Sequence, residues 1–381
     1  MSAPRVGIVG GGQLARMMQP AAINLDIKLR VLCSSPTESA AQVIPDSVFG
    51  SHDDVSAVLE FARDCDVITF DHEHVPPVVL DALVASGANL QPNPQALKFA
   101  QDKLIMRAAL SEAGISCPLW AHIKDVAGLQ DFVQQAGWPI ILKSAKGGYD
   151  GKGVWFVENE IEALSVMADI HAHNQEVLAE QCVDFVQELA AQVARSPHGQ
   201  SVAYPIVKST QTDGICHEVI APCPELTDAR AVAAQELALK IAALLDVTGM
   251  LAVELFDTGT ELLVNELAMR PHNSGHWSMD GAVTSQFENH LRAVLNWPLG
   301  SPAAIAPHTV MVNLLGKDLD NLQSAYRHVM ARDPNIKIHL YGKSVKPGRK
   351  IGHVNSVGDN LEDLKQRAWH AADYLTGVID E

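Results

Sequence analysis

Positive charge is scarce in this chain. Its 381 residues include 28 Lys and Arg against 45 Asp and Glu, a net charge of −17. That balance excludes a nucleic-acid or anionic-membrane surface, because each needs a basic footprint. Any anion bound here must therefore meet a local cluster of cations. Paired cysteine spacing is lacking too. The six cysteines, at 33, 65, 117, 182, 216 and 223, include no C-x-x-C, which points to reduced thiols rather than a disulfide framework or zinc site. No apolar run reaches the length of a membrane span, and no leader pattern precedes the first apolar strand. Together these features predict a cytoplasmic protein. What is present is ordinary for globular chains: 47% hydrophobic and 19% charged residues, enough length for two or three domains, and no repeats.

The first hundred residues alternate strand and helix. Strands are predicted at Val6–Val9, Lys28–Leu32 and Val67–Phe70, and helices at Gln13–Asn24, Val55–Arg63 and Val78–Ser86. Alternation of this kind implies a doubly wound parallel sheet, closed by the turn-rich Gln91-Pro92-Asn93-Pro94. One helix over 97–113 should follow, then strands near Pro118–Ile123, Ile140–Lys143, Val154–Val157, Val177–Glu180, Glu188–Arg195 and Val202–Ile206. A helix over 227–246 should bury Leu237, Ile241, Leu244 and Leu245. Met250–Phe256 and Glu261–Leu267 read as a hairpin. A strand at Thr309–Leu315, a helix, a hairpin near 336–354 and a closing helix complete the chain. The boundaries predicted are 1–96, 97–305 and 306–381.

Two glycine-rich segments suggest phosphate. Gly10-x-Gly12-x-x-Ala15, between a strand and a helix, fits a dinucleotide fingerprint, but that fingerprint needs an acid at the end of the second strand. Cys33-Ser34-Ser35 stands there, which argues against a nicotinamide cofactor. Lys143-Ser144-Ala145-Lys146-Gly147-Gly148-Tyr149-Asp150-Gly151-Lys152-Gly153 places three lysines among four glycines. Bare backbone amides could approach a polyphosphate there while the lysines neutralise it. No Gly-Lys-Ser/Thr is present, so this is not a P-loop.

The hairpin carries the strongest physical signal. Its turn near Gly259–Thr260 sets Glu254 and Glu266 nearly opposite each other. Like charges at such cross-strand positions repel, and burial of both in apolar strands sharpens the conflict unless a divalent cation lies between them. After Asn265-Glu266 comes a turn dense in hydrogen-bond donors, Arg270-Pro271-His272-Asn273-Ser274-Gly275-His276-Trp277, suited to an oxyanion. His272 and His276 have i,i+4 spacing, but Pro271 and Gly275 oppose a single helical face. Asp71-His72-Glu73-His74 is expected to supply loop polar groups near a domain interface rather than a metal site.

These motifs together resemble the ATP-grasp ligases, and end to end they resemble the 5-(carboxyamino)imidazole ribonucleotide synthase family of purine biosynthesis. The likeness rests on Gly10–Leu14, Gly147–Gly153, Asn265-Glu266, Arg270–Trp277 and Lys346-Pro347-Gly348-Arg349-Lys350-Ile351-Gly352-His353. It implies an ATP-grasp fold with an N-terminal Rossmann-like domain and a small C-terminal α+β domain, acting as a dimeric carbon–nitrogen ligase. The implied substrates are ATP, bicarbonate and 5-aminoimidazole ribonucleotide, with carboxyphosphate as intermediate and magnesium as cofactor.

The resemblance also assigns residues. Lys103 and Lys143 would be cationic nucleotide contacts, with Gly148, Tyr149, Asp150, Gly151, Lys152, Gly153 and Val154 over the phosphates. Glu180, Gln181, Cys182 and Val183 would form the adenine hinge, Glu188 would take the ribose, and Gln211 and Asn265 would be further contacts. Glu254 and Glu266 would hold magnesium. Ala268 stands where many ATP-grasp enzymes have a metal-binding Asn, so water, phosphate or Asn265 would complete the shell. Tyr149, Asp150, Arg270, His272, Asn273, Ser274, Lys343, Arg349 and Lys350 match the ribonucleotide region. Arg270 would hold the intermediate, and Asp150 or His272 would take the amine proton. Lys343, Lys346, Arg349 and Lys350 suit the 5′-phosphate. Alternative readings are an ATP-grasp ligase using another carboxylate such as formate, a nicotinamide-dependent oxidoreductase, or a non-catalytic nucleotide-binding protein.

Overall fold

Valine, isoleucine and leucine recur in three short segments of the N-terminal unit, and these pair in parallel with a more polar edge strand as one sheet in the order β3-β2-β1-β4. The strands are β1 (Arg5–Val9), β2 (Lys28–Cys33), β3 (Asp46–Phe49) and β4 (Val67–Phe70), with helices α1 (Gln13–Asn24), α2 (Val55–Ala62) and α3 (Pro77–Ala85). This computed structural model describes residues 3–148, 152–212, 214–317 and 322–379. Tyr149, Asp150 and Gly151 of the glycine-rich loop lie outside the described residues.

The expected helix over 97–113 is two helices, α4 (Pro94–Gln101) and α5 (Lys103–Glu112). Asp102 is extended (φ −135°) and its carboxylate accepts from the N–H groups of Leu104 and Ile105, so it ends one helix by capping the next. A second sheet, β5-β8-β6-β7, joins β5 (Trp120–Ile123), β6 (Ile140–Ser144), β7 (Val154–Val157) and β8 (Val177–Gln181), with α6 (Val126–Ala136) and α7 (Glu160–Ala172) packed on it. Those two helices, like β3, had no counterpart in the sequence reading.

The third sheet has nine strands, in the order β14-β13-β9-β11-β12-β15-β17-β16 with β10 beside β9. They are β9 (Gln187–Arg195), β10 (Ser201–Ala203), β11 (Val207–Thr212), β12 (Ile215–Ala221), β13 (Gly249–Asp257), β14 (Leu262–Ala268), β15 (His308–Leu315), β16 (Lys337–Leu340) and β17 (Lys350–Gly358). The expected strand Val202–Ile206 is therefore cut short: only Val202 and Ala203 join a ladder, in β10, and β11 starts just beyond it at Val207. Buried Tyr204 follows β10, with its N–H still donating to Gln192 O of β9 at 2.9 Å and its hydroxyl donating to Thr284 O at 3.0 Å. α8 (Asp228–Leu244) covers one face with Ala234, Ala238 and Ile241, while Leu244, expected in the core, is 49% exposed because it falls on the outer side of the last turn.

On the other face lie a short 3₁₀ turn (Asn273–Gly275), α9 (Ser278–Gly281) and α10 (Gln286–Val294), with Trp277 fully buried against Ala190, Cys216, Met250 and Met311. α11 (Leu322–Arg332) and α12 (Leu361–Thr376) cover the C-terminal end. β12 pairs with β15, so the sheet runs unbroken across residue 305. α10 also contributes Phe287, Leu291 and Val294 to the core around α1, which fixes the N-terminal unit against the sheet.

Candidate active site

Glu254 and Glu266 are register partners across β13 and β14, with a bulge immediately after the pair that leaves Asn265 unpaired in the ladder. The expected opposition is present, but burial of both is not. Glu266 is exposed on the edge strand, whereas only 19% of the Glu254 side chain reaches solvent. Burial, then the charges of Glu266 and Glu188, push the Glu254 carboxyl up to about 8. Glu188, on the neighbouring strand β9, is itself raised to about 6 by burial, and its Oε2 has no hydrogen-bond partner. Gln211 lies against it, and Glu188, Ser209, Gln211, Glu254, Phe256 and Asn265 line one narrow cleft. A carboxylate kept protonated by burial and then by its neighbours, and a second with one oxygen left unpartnered, fit a site completed by a hard cation. No set of three or more His, Cys, Asp or Glu among the described residues converges in metal-binding geometry, so the glutamates would leave most of a cation's shell to phosphate and water.

The nucleotide lysines meet the same carboxylates from the second sheet. Lys143 Nζ lies 2.6 Å from Glu180 Oε2 and donates to Asn265 Oδ1 at 3.1 Å. Burial would raise Glu180, but Lys143 and then Arg107 outweigh it and hold the carboxyl down to about 2. Its side chain is thus committed to an internal ion pair, and only its backbone could serve a hinge formed with Gln181, Cys182 and Val183 at the end of β8. Arg107 was not singled out from sequence. Fully buried, it donates through Nε to Glu180 Oε1 at 2.6 Å, through Nη1 to Val264 O at 3.0 Å and through Nη2 to Asn265 O at 2.7 Å. Lys103 is half-buried at the start of α5, near Glu266, and donates to Gly147 O at 2.9 Å at the root of the glycine-rich loop. Gly148, Lys152, Gly153 and Val154 border the part of that loop outside the described residues.

The turn after β14 is held from below. Gln192 Nε2 donates to Ser274 Oγ at 2.7 Å, so the Ser274 hydroxyl hydrogen is left for His272 Nδ1, 2.8 Å away. Ser274 N–H also points at that nitrogen. Burial, then Arg270 and Lys350, keep the ring neutral, down to about 3. Its proton is therefore on Nε2, which faces Glu254 Oε1 at 3.9 Å. Both amide atoms of Asn273 are buried without a partner. Arg270 donates through Nε to Glu73 Oε2 at 2.9 Å, so the 71–74 segment meets this turn directly.

Asp71 explains the fingerprint. Its carboxylate accepts from Gly12 N–H at 2.9 Å and Ala15 N–H at 2.7 Å. The anion at the start of α1 is thus the protein's own. A Cβ at residue 12 would stand 2.1 Å from Asp71 Oδ2, which is why glycine is required there.

Beside this turn opens a cavity of about 760 Å³, lined by Gly10–Gly12, Ser34, Ser35, Glu38, His52, His72, Lys343 and Arg349 among others. Lys343 donates to Gln13 Oε1, and Arg349 donates to Ser344 Oγ at 2.8 Å. The four C-terminal cations are not one cluster. Lys350 acts electrostatically on Glu254 and His272 instead, and Lys346 is absent from the cavity wall.

Comparison with known proteins decides the family. A model of the ribonucleotide synthetase preATP-grasp domain matches residues 3–101, one of the ATP-grasp domain 108–287, and one of the phosphoribosylaminoimidazole carboxylase C-terminal domain 309–367. The N5-carboxyaminoimidazole ribonucleotide synthase of Mycobacterium tuberculosis is 51% identical over 98% of this chain and 88% of its own length. The chain belongs to the N5-carboxyaminoimidazole ribonucleotide synthase family. Two solved structures agree along the whole chain. The Thermus thermophilus synthetase superposes with a TM-score of 0.88 at 34% identity, covering 99% of each chain. The Aspergillus clavatus synthase in complex with ADP and 5-aminoimidazole ribonucleotide gives 0.88 at 31%, over 98% of this chain and 99% of that one. Membership makes this an ATP-grasp ligase with an N-terminal preATP-grasp unit and a C-terminal family domain.

Proposed function

We propose that this enzyme carboxylates the amino group of 5-aminoimidazole ribonucleotide at the expense of ATP and bicarbonate, as a cytoplasmic dimer requiring magnesium. The reading is carried by the position of the Glu254–Glu266 pair: Asn265, bonded to Lys143, adjoins it in the bulge, and His272 of the following turn faces Glu254. Glu254 and Glu266, with Asn265 nearby, would hold the metal, which would offset phosphate charge during transfer. Lys103, Lys143 and the glycine-rich loop would align the ATP phosphates. A bicarbonate oxygen then attacks the γ-phosphorus and ADP leaves, giving carboxyphosphate beside Arg270 and Asn273. The substrate amine attacks its carbonyl carbon, the bond to phosphate breaks, and the amine proton departs. His272, neutral with its hydrogen on Nε2, serves as a donor to developing negative charge. Proton acceptance then falls to Asp150.

The experiment is ADP release measured with bicarbonate and ribonucleotide each present or omitted. ADP release dependent on both is expected, with a loss on the order of 10²–10³-fold in Glu266→Gln. Formate replacing bicarbonate in that assay would point to the other ligase class.

The 760 Å³ cavity suits the ribonucleotide, with Lys343 and Arg349 on its 5′-phosphate. Charge-assisted hydrogen bonds of this kind contribute about 1.5–3 kcal/mol. Lys343→Ala or Arg349→Ala should therefore raise the KM for the ribonucleotide roughly 10- to 100-fold while the KM for ATP holds. An unchanged ribonucleotide KM in both variants would remove the phosphate from this cavity.

A further inference from the structure

Gln286 opens α10, is fully buried, and grips the catalytic turn at three points. Its Oε1 accepts from the His272 N–H at 2.9 Å, and its Nε2 donates to the His272 carbonyl at 2.8 Å. One amide thus engages both main-chain groups of one residue. This fixes which end of the amide is oxygen, because a flipped group would set donor against donor and acceptor against acceptor. The remaining Nε2 hydrogen meets His276 Nδ1 at 2.9 Å. His276 Nδ1 must then be an acceptor, with the ring hydrogen on Nε2.

The clamp is itself held. Gln286 N–H donates to Ser278 Oγ at 2.9 Å, and that hydroxyl donates to Gly275 O at 2.6 Å. A Cβ at residue 275 would lie 2.4 Å from Gln286 Oε1, so only glycine lets the amide approach. One turn on, His290 accepts from Met250 N–H through Nδ1 at 3.1 Å, leaving Nε2 for Thr69 Oγ1 at 2.8 Å. α10 is therefore tied to β13, which carries Glu254, and to β4 of the N-terminal unit.

We propose that Gln286 is a positioning residue for the carboxylation reaction. By holding the peptide groups of His272 it sets that ring over Glu254, and through His276 it locks the rest of the turn. The proposal rests on the function assigned above. Gln286→Glu keeps the acceptor and shape but loses both donations, and Gln286→Met keeps only the approximate volume. Misplacement of a reacting group by about 1 Å costs roughly 10²-fold. Both variants are expected to lose kcat on that order with the KM for ATP held within about two-fold. If kcat stays within about two-fold of wild type, or if kcat and the KM for ATP shift together with the melting temperature, the residue only packs and the proposal fails. A second measurement needs no turnover and no variant, so it separates this inference from the assigned reaction. Nitrogen-15 shifts of labelled histidines in the wild-type protein should show His276 protonated on Nε2 alone; protonation on Nδ1 would overturn the clamp.

Discussion

Metal-free Glu254→Gln protein is expected to melt higher than wild type above pH 8, by several degrees, and to lose that advantage toward pH 5. Burial, with Glu266 and Glu188, raises the Glu254 carboxyl from 4.5 to about 8. The folded protein therefore keeps a proton that the unfolded chain releases. The stability this adds is full below about 4.5 and is lost as pH rises through about 8. At about 1.4 kcal/mol per pH unit, the whole effect is at most a few kcal/mol, and less for a carboxyl partly open to solvent. Gln carries no such proton and should show a flatter profile. Magnesium at pH 9 should raise the wild-type melting temperature, because a cation relieves the repulsion, and should do little for the variant. Parallel pH profiles for the two proteins would rule out Glu254 as a strained carboxylate awaiting a cation.

Arg107→Met is expected to destabilise the enzyme by about 3–5 kcal/mol, the range for breaking a buried pair by removing one partner. The loss would leave Glu180 with Lys143 alone, and would strip partners from the carbonyls of Val264 and Asn265. Lys143 would be drawn further onto Glu180 and away from nucleotide, so the KM for ATP should rise as well. Adding Glu180→Gln to Arg107→Met should restore part of the stability, since it removes the uncompensated charge. Urea unfolding midpoints of the wild type and the two variants measure this. A loss below about 1 kcal/mol for Arg107→Met would mean the pair behaves as an exposed one.

The glutamate pair was legible in the sequence because a hairpin is local. A separation of twelve positions with one turn signal set the register, and period-two alternation did the rest. The bulge at Asn265, and the edge position that leaves Glu266 in solvent, left no such mark. The doubly wound start was legible for the same reason of short-range pattern. Arg107 was not, because its partners lie 73, 157 and 158 positions away, and in sequence it resembles any helical surface arginine. Asp71 was passed over for a related reason: the missing acid after β2 argued against a dinucleotide but did not say what would occupy the helix terminus. Gln286 had a usable signal. Ser285 and Glu288 form a helix-start pattern, and the Ser285 side chain does accept from Glu288 N–H. The helix at 160–172 begins the same way, with Asn159 accepting from Glu162 N–H. Apolar periodicity alone overlooked both.

The pairing of β12 with β15 bears on how this protein can be taken apart. A chain cut near residue 305 would leave the backbone of Glu218–Ala221 without its ladder partners. It would also uncover Ile220, which packs with the C-terminal core. A bare, apolar edge of that kind is a template for aggregation. The C-terminal region is therefore no detachable accessory: it serves as the cover that keeps the middle of the molecule in solution.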